Sequence, residues 1–138
     1  MRTCVILSGG KGTRLKSSGI DIPNCLIEIE GSPCIIHVSK ELKRIGFEKI
    51  IILSYIEFKD YFYEKFYEFE KLDITLEFIF SNYQNGTFGS IIDIIEILPE
   101  RFSIANGDTL IKLIGVTPQL LHKEQHKCLL CLVKSKRD

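Results

Sequence analysis

The sequence predicts an α/β fold: a mostly parallel sheet flanked by helices, formed by one domain over residues 1–138. Two observations carry this. Short apolar segments alternate with helix-patterned segments along the chain, which calls for crossover connections between parallel strands. The run Lys49 to Leu53 is continuously apolar after its first lysine, the pattern of a strand covered on both faces.

The elements follow in order. Thr3 to Leu7 reads as a buried strand and Leu26 to Glu30 as a short extended piece. Ser32-Pro33 reads as a helix start, with a hydroxyl for the cap and proline in the first helical position. Ile35, Val38, Leu42 and Ile45 recur at helical spacing until Gly46 ends the helix. After the strand at Lys49, Glu57 to Leu72 reads as one helix with Phe58, Phe62, Phe66 and Phe69 on one stripe. Ile74 to Phe80 is the next strand. Thr87 to Leu98 is a helix ended by Pro99. Phe102 to Ala105 is a strand running into Asn106-Gly107-Asp108. Pro118 to Gln125 is a short helix and Lys127 to Val133 a last strand. No internal repeat, linker or low-complexity segment interrupts this order.

Composition narrows the function classes. The chain has 138 residues, 45% of them hydrophobic, which suits one domain with a core and argues against disorder. Lys+Arg and Asp+Glu are 18 each, so no global field draws nucleic acid or a membrane surface. No apolar run approaches the roughly 20 residues that span a bilayer. The N-terminus lacks the apolar core of a signal peptide. These features lead to the expectation of a cytoplasmic protein. There Cys4, Cys25, Cys34, Cys128 and Cys131 are reduced and mostly buried.

Two stretches follow strands at the end where open parallel sheets bind ligands. The first is SGGKGTRL, Ser8 to Leu15. Gly9, Gly10 and Gly12 let backbone N–H groups approach a ligand, and successive N–H groups form an anion-binding concavity. Lys11 and Arg14 add charge, and a guanidinium grips phosphate oxygens in pairs. The fitting ligand is a polyphosphate. A Walker A loop would need lysine and a hydroxyl residue after its last glycine, whereas Thr13-Arg14 follows Gly12. The dinucleotide fingerprint would need glycine where Leu15 stands and a helix directly after; Ser17-Ser18-Gly19 and Pro23 break the chain instead. The bland alternative is an ordinary strand-to-loop turn. The second stretch, Asn106-Gly107-Asp108-Thr109, is equally good turn chemistry.

Taken together, SGGKGTRL, Pro23, the Gly31-Ser32-Pro33 helix start, Gly46-Phe47, Gly86-Thr87-Phe88-Gly89-Ser90 and Asn106-Gly107-Asp108-Thr109 resemble the sugar-phosphate nucleotidyltransferase family, in order and across nearly the whole chain. The resemblance implies a Rossmann-like, GT-A-like fold, of which this chain is the N-terminal portion. It implies a reaction in which a sugar 1-phosphate oxygen attacks the α-phosphorus of an NTP and pyrophosphate leaves, for activated sugars of surface polysaccharide. Ser8, Gly9, Gly10, Gly12 and Thr13 would cradle the nucleotide. Lys11 and Arg14 would neutralise the departing phosphates. Gly86 and Thr87 would approach the base, although Thr87 serves equally as a helix cap. Asp108 would hold Mg²⁺.

The sequence also departs from the family. Its Pro-Lys pair reads Pro23-Asn24, so Asn24 brings hydrogen bonds and no charge to the nucleotide. Either Gln84 or Asn82 stands where the family reads the base. The chain stops at Asp138, before the family's C-terminal sugar-binding part and second metal-binding aspartate, as in a short, truncated or degenerate member. The alternative function is therefore a catalytically impaired nucleotide-binding or assembly subunit of the same fold.

Two further constellations stand outside the resemblance. His122, His126, Cys128 and Cys131 have spacings that could suggest zinc, but residues three apart on a strand face opposite ways. The helix 57–72 holds seven of the fourteen aromatic residues, and its tyrosines either half-bury or mediate a homo-oligomer.

Overall fold

The computed structural model describes residues 1–8, 22–81, 86–110, 112 and 117–121. Strand β1 (Thr3–Leu7) lies at the centre of a sheet with β4 (Lys49–Tyr55), β5 (Thr75–Ser81) and β6 (Ser103–Asn106). The order is β5-β4-β1-β6 and every pairing is parallel. Leu7 faces Leu53 on one side and Asn106 on the other. The chain builds outward from β1 through β4 to β5, then returns to place β6 against the opposite edge of β1. The order of strands therefore reverses beside β1, where doubly wound sheets open a crevice at their carboxyl ends.

Alternation along each strand divides the core. Cys4, Ile6, Ile50 and Ile52 face helix α1 (Cys34–Ile45) and the aromatic segment after β4, in one cluster. Val5, Ile51 and Leu53 face the other way, against Ile91 and Ile94. The continuous apolar run of β4 thus means what its pattern predicts: a strand buried on both faces. Burial also pushes the Cys4 thiol up to about 12, so it remains a neutral packing group.

Gly46 ends α1 as expected, in the left-handed conformation (φ 116°) that costs glycine least. The N–H of Phe47 returns to the Leu42 carbonyl at 3.1 Å, and Phe47 and Leu42 are both buried beside it. The other end differs from expectation. Ser32 and Pro33 form a two-residue strand, β3, antiparallel to β2 (Glu28–Ile29). Pro33 stands just before the first helical residue, and no side chain caps the helix. Glu30 and Gly31, at φ 51° and 84°, close the hairpin and draw Ser32 into its register. The expected extended piece from Leu26 is accordingly shorter, because Asn24–Leu26 winds into a 3-10 turn.

The expected helix over 57–72 is also divided. A 3-10 turn at Ile56–Phe58 leads into α2 (Lys59–Glu64), and α3 (Phe66–Glu70) follows a break at Lys65 (φ −100°, ψ 5°). The break shifts the helical phase. Phe58, Phe62 and Phe69 are buried, whereas Phe66 turns outward at 42% exposure. A straight helix would have kept all four on its one stripe, so the break takes Phe66 off the shared face that the sequence predicts. Similarly, α4 (Gly86–Ile92) stops short of Leu98, and Ile95–Ile97 tightens into a 3-10 turn. Four isoleucines between 91 and 95 favour helix weakly. The last described element is α5 (Pro118–Leu121). The expected strand over 127–133, and His122, His126, Cys128 and Cys131, lie outside the described residues. No helix among those described is long and apolar enough to cross a membrane.

Candidate functional site at the carboxyl ends of β1 and β6

The reversal of strand order puts the starting points of the two chemical stretches side by side. Leu7 pairs with Asn106, so the loop leaving β1 and the Asn106-Gly107-Asp108 turn leaving β6 start from adjacent rungs. The Gly107 N–H donates to the Leu7 carbonyl at 2.9 Å and extends the pairing by one step.

Ser8 is the root of the glycine loop, and it is fixed on all sides. Its N–H and its hydroxyl both donate to the Leu53 carbonyl, each at 3.0 Å. Its carbonyl accepts the Ser54 hydroxyl at 3.1 Å and lies 4.0 Å from the Cys25 sulfur. Ser8 is buried. Its hydroxyl therefore anchors the loop to β4 in this structure. Gly9, Gly10, Lys11, Gly12, Thr13 and Arg14 lie outside the described residues.

Asp108 is exposed and accepts the Thr109 hydroxyl at 3.3 Å. Its carboxylate is felt by the thiols beneath. Burial first, and the Asp108 charge second, push Cys25 up to about 12, and the same two causes raise Cys34. Both causes favour the neutral thiol. Asn24, which follows Pro23 and opens the 3-10 turn, carries a buried side-chain oxygen with no hydrogen-bond partner among the described residues. A buried acceptor left unpaired costs about 1–3 kcal/mol, which a donor on a bound molecule would offset. Gly86 opens α4, one residue before the expected start at Thr87; Asn82 and Gln84 lie outside the described residues.

Gly107 explains why this turn holds its shape. A Cβ added there would meet Cys25 Cβ at 3.1 Å, Ile6 Cγ2 at 3.2 Å and Ile35 Cδ1 at 3.4 Å. The 3-10 turn, β1 and α1 thus converge on one backbone position. Gly107→Ala is expected to cost about 1–3 kcal/mol, because the two tightest neighbours, Cys25 Cβ and Ile6 Cγ2, are fixed close to their own backbones. It also moves the Asp108 carboxylate off its place above Cys25. Urea denaturation checks the first part; a loss under 0.5 kcal/mol, small against other overpacked sites, would show that the contact relaxes freely.

Of the candidate site residues singled out in the sequence, Ser8, Asn24 and Asp108 lie among the described residues; Ser54 and Cys25, which contact the Ser8 carbonyl, were not among them. One signal was available: Ser54 is a hydroxyl at the end of an otherwise apolar strand, KIIILSY. Nothing in the sequence marked Cys25.

The fold has known relatives. Residues 3–137 match the family model described as nucleotidyl transferase. The chain is 32% identical over 108 residues to the D-glycero-alpha-D-manno-heptose 1-phosphate guanylyltransferase of Campylobacter jejuni, covering 76% of this chain and 47% of that one. It is 26% identical over 106 residues to the UTP–glucose-1-phosphate uridylyltransferase AglF of Haloferax volcanii, covering 77% and 43%. Among solved structures, HddC from Yersinia pseudotuberculosis superposes with a TM-score of 0.71 at 34% identity, over 82% of this chain and 50% of that one. The same protein complexed with GMP-PN gives a TM-score of 0.70. The chain spans half or less of the length of these relatives. The expected Rossmann-like fold is thus the fold of its structural neighbours.

Proposed function

Because the chain belongs to the nucleotidyl transferase family, we propose that the crevice beside β1 binds a nucleoside triphosphate and passes its nucleotidyl group to a sugar 1-phosphate. The observation that carries this reading is the pairing of Leu7 with Asn106, which starts the Ser8 stretch and the Asp108 turn from adjacent rungs where the strand order reverses.

In this reading, backbone N–H groups of Gly9, Gly10 and Gly12 cradle phosphate oxygens, with Ser8 and Thr13 holding the two sides of the loop. Lys11 and Arg14 stabilise the pyrophosphate as it departs. A sugar 1-phosphate oxygen forms a bond to the α-phosphorus while the bond to the bridging oxygen breaks. Alignment and charge neutralisation supply most of the acceleration. Gly86 and Thr87 lie at the base end. Asn24 holds the ligand by its unpaired oxygen, which suits a hydroxyl or amine donor better than a phosphate oxygen.

The donor set fits a magnesium ion that arrives with the nucleotide. Asp108 offers an exposed carboxylate, and among the described residues no three acidic, His or Cys side chains gather into a self-sufficient site. Mg²⁺ commonly leans on one or two carboxylates plus substrate phosphates. Bound there, it would supply further charge neutralisation to the phosphates. Two relatives bear on the base: one is named a guanylyltransferase, and one was solved with GMP-PN. Guanosine triphosphate is accordingly the first donor to test, with synthesis of activated sugars for surface polysaccharide in the cytoplasm as the setting.

The test is pyrophosphate release from GTP, Mg²⁺ and hexose or heptose 1-phosphates. Turnover is expected, with Asp108→Asn slower by about a hundredfold or more. Nucleotide binding with no pyrophosphate from any sugar phosphate would favour the second reading, a nucleotide-binding subunit without turnover. Asn24, uncharged at the site's edge, is the observation that speaks for that reading.

A further inference from the structure

The backbone ladder between β1 and β4 ends at Ser8, and a side chain takes the place of its next rung. In a parallel pair, a residue donates its N–H to one residue of the neighbouring strand and accepts from the residue two further along. Ser8 makes the first of these bonds, from its N–H to the Leu53 carbonyl at 3.0 Å. The second would bring the Tyr55 N–H to the Ser8 carbonyl. Among the described residues no backbone N–H donates there. The Ser54 hydroxyl donates instead, at 3.1 Å, and the Cys25 thiol lies at 4.0 Å.

Packing alone does not call for serine at this place. Ser54 is 2% exposed and shares its strand face with Ile50 and Ile52, on the side of the larger core cluster. An apolar side chain would fill the position without burying a hydroxyl, and a buried hydroxyl costs stability unless it is bonded. The bond that Ser54 makes is spent on the Ser8 carbonyl, the last described group before the glycine stretch.

We propose that Ser54 is a positioning residue for the glycine loop: by holding the Ser8 carbonyl toward β4, it turns the N–H of the same peptide plane toward β6 and a bound nucleotide. The direction follows from covalent geometry, because a planar trans peptide points its carbonyl and its N–H opposite ways. Strand β1 lies between β4 and β6, and the Asp108 turn leaves from the β6 side. A backbone N–H in the Ser54 position of the ladder would prolong the sheet; a hydroxyl satisfies the carbonyl and lets the chain depart. The role rests on the nucleotide reading given above.

Calorimetric titration of the full chain with GTP and Mg²⁺ tests it in the unaltered protein and in variants. Ser54→Ala should raise the Kd about tenfold, the size of one lost hydrogen bond, whereas Ser54→Thr, which keeps a donor, should stay within about threefold. Ser39→Ala is the control. It removes another buried hydroxyl bond, to the Ile35 carbonyl within α1 at 2.8 Å, and should leave the Kd unchanged. Unaltered affinity in Ser54→Ala overturns the role of Ser54 while the nucleotide reading stands. So does an equal loss in Ser39→Ala, which would trace the effect to stability, or in Ser54→Thr, which would trace it to shape. If Ser54→Ala does not fold, Ser54→Cys, a weaker donor, takes its place: a raised Kd supports the role and an unchanged one overturns it. Absence of GTP binding by the unaltered protein overturns both the nucleotide reading and this role.

Discussion

Phe62→Ala is expected to destabilise the chain by about 3–5 kcal/mol. Phe62 is 1% exposed and sits where α2 meets the sheet. Its ring centre lies 5.8 Å from that of Phe80, 6.0 Å from Phe78 and 6.4 Å from Phe69. Removal forfeits the transfer energy of the ring and leaves a cavity between two strand residues and α3. Collapse into that space is restricted, because Phe69 and Phe78 already meet edge to face at 5.1 Å. A melting midpoint lower by roughly 10 °C or more is the corresponding reading for a domain of this size. Phe66→Ala, at 42% exposure, serves as the control and should cost far less. Equal losses at the two positions would mean that 57–72 is a single straight helix with both rings inside.

Arg14→Ala is expected to remove nucleotide binding at practical concentrations while leaving the fold unchanged. Arg14 belongs to the loop rooted at Ser8, and the proposal gives it the charge-assisted bonds to the outer phosphates. Bonds of that class contribute about 1.5–3 kcal/mol, or roughly ten- to more than a hundredfold in Kd. The root itself is held by Leu53, Ser54 and Cys25, and these contacts are made by Ser8 rather than by the arginine side chain being removed. Calorimetric titration with GTP and Mg²⁺ reads the loss, and a melting curve without ligand confirms the fold. Unchanged affinity would remove the phosphate role from Arg14.

The parts of the fold that were legible in the sequence are those set by one-dimensional pattern. β4 is apolar because both its faces are covered, and Gly46 stops α1 because it alone takes a left-handed backbone cheaply there. The parts that were not legible depend on contacts between distant segments. The stripe Phe58, Phe62, Phe66, Phe69 fits one helix as well as two, and only the break at Lys65 decides which rings go in. Ser32 offers a hydroxyl just before a helix, yet the Glu30-Gly31 turn claims it for a hairpin. At the site, Ser8 and Asp108 stood out as members of motifs. Cys25 and Ser54 did not, because their role is to pack against and bond to backbone that arrives from β1, and no local signal records that.

The most direct test of the central claim is a thermal-shift panel of ATP, GTP, CTP, UTP and dTTP, each with and without Mg²⁺. A nucleotide at a hundred times its dissociation constant stabilises the folded chain by about 2.7 kcal/mol. The account predicts that GTP raises the melting midpoint more than the others and that Mg²⁺ enlarges the shift. No shift with any nucleotide, with or without the ion, would contradict it: the family fold would stand, and the crevice beside β1 would not be a nucleotide site.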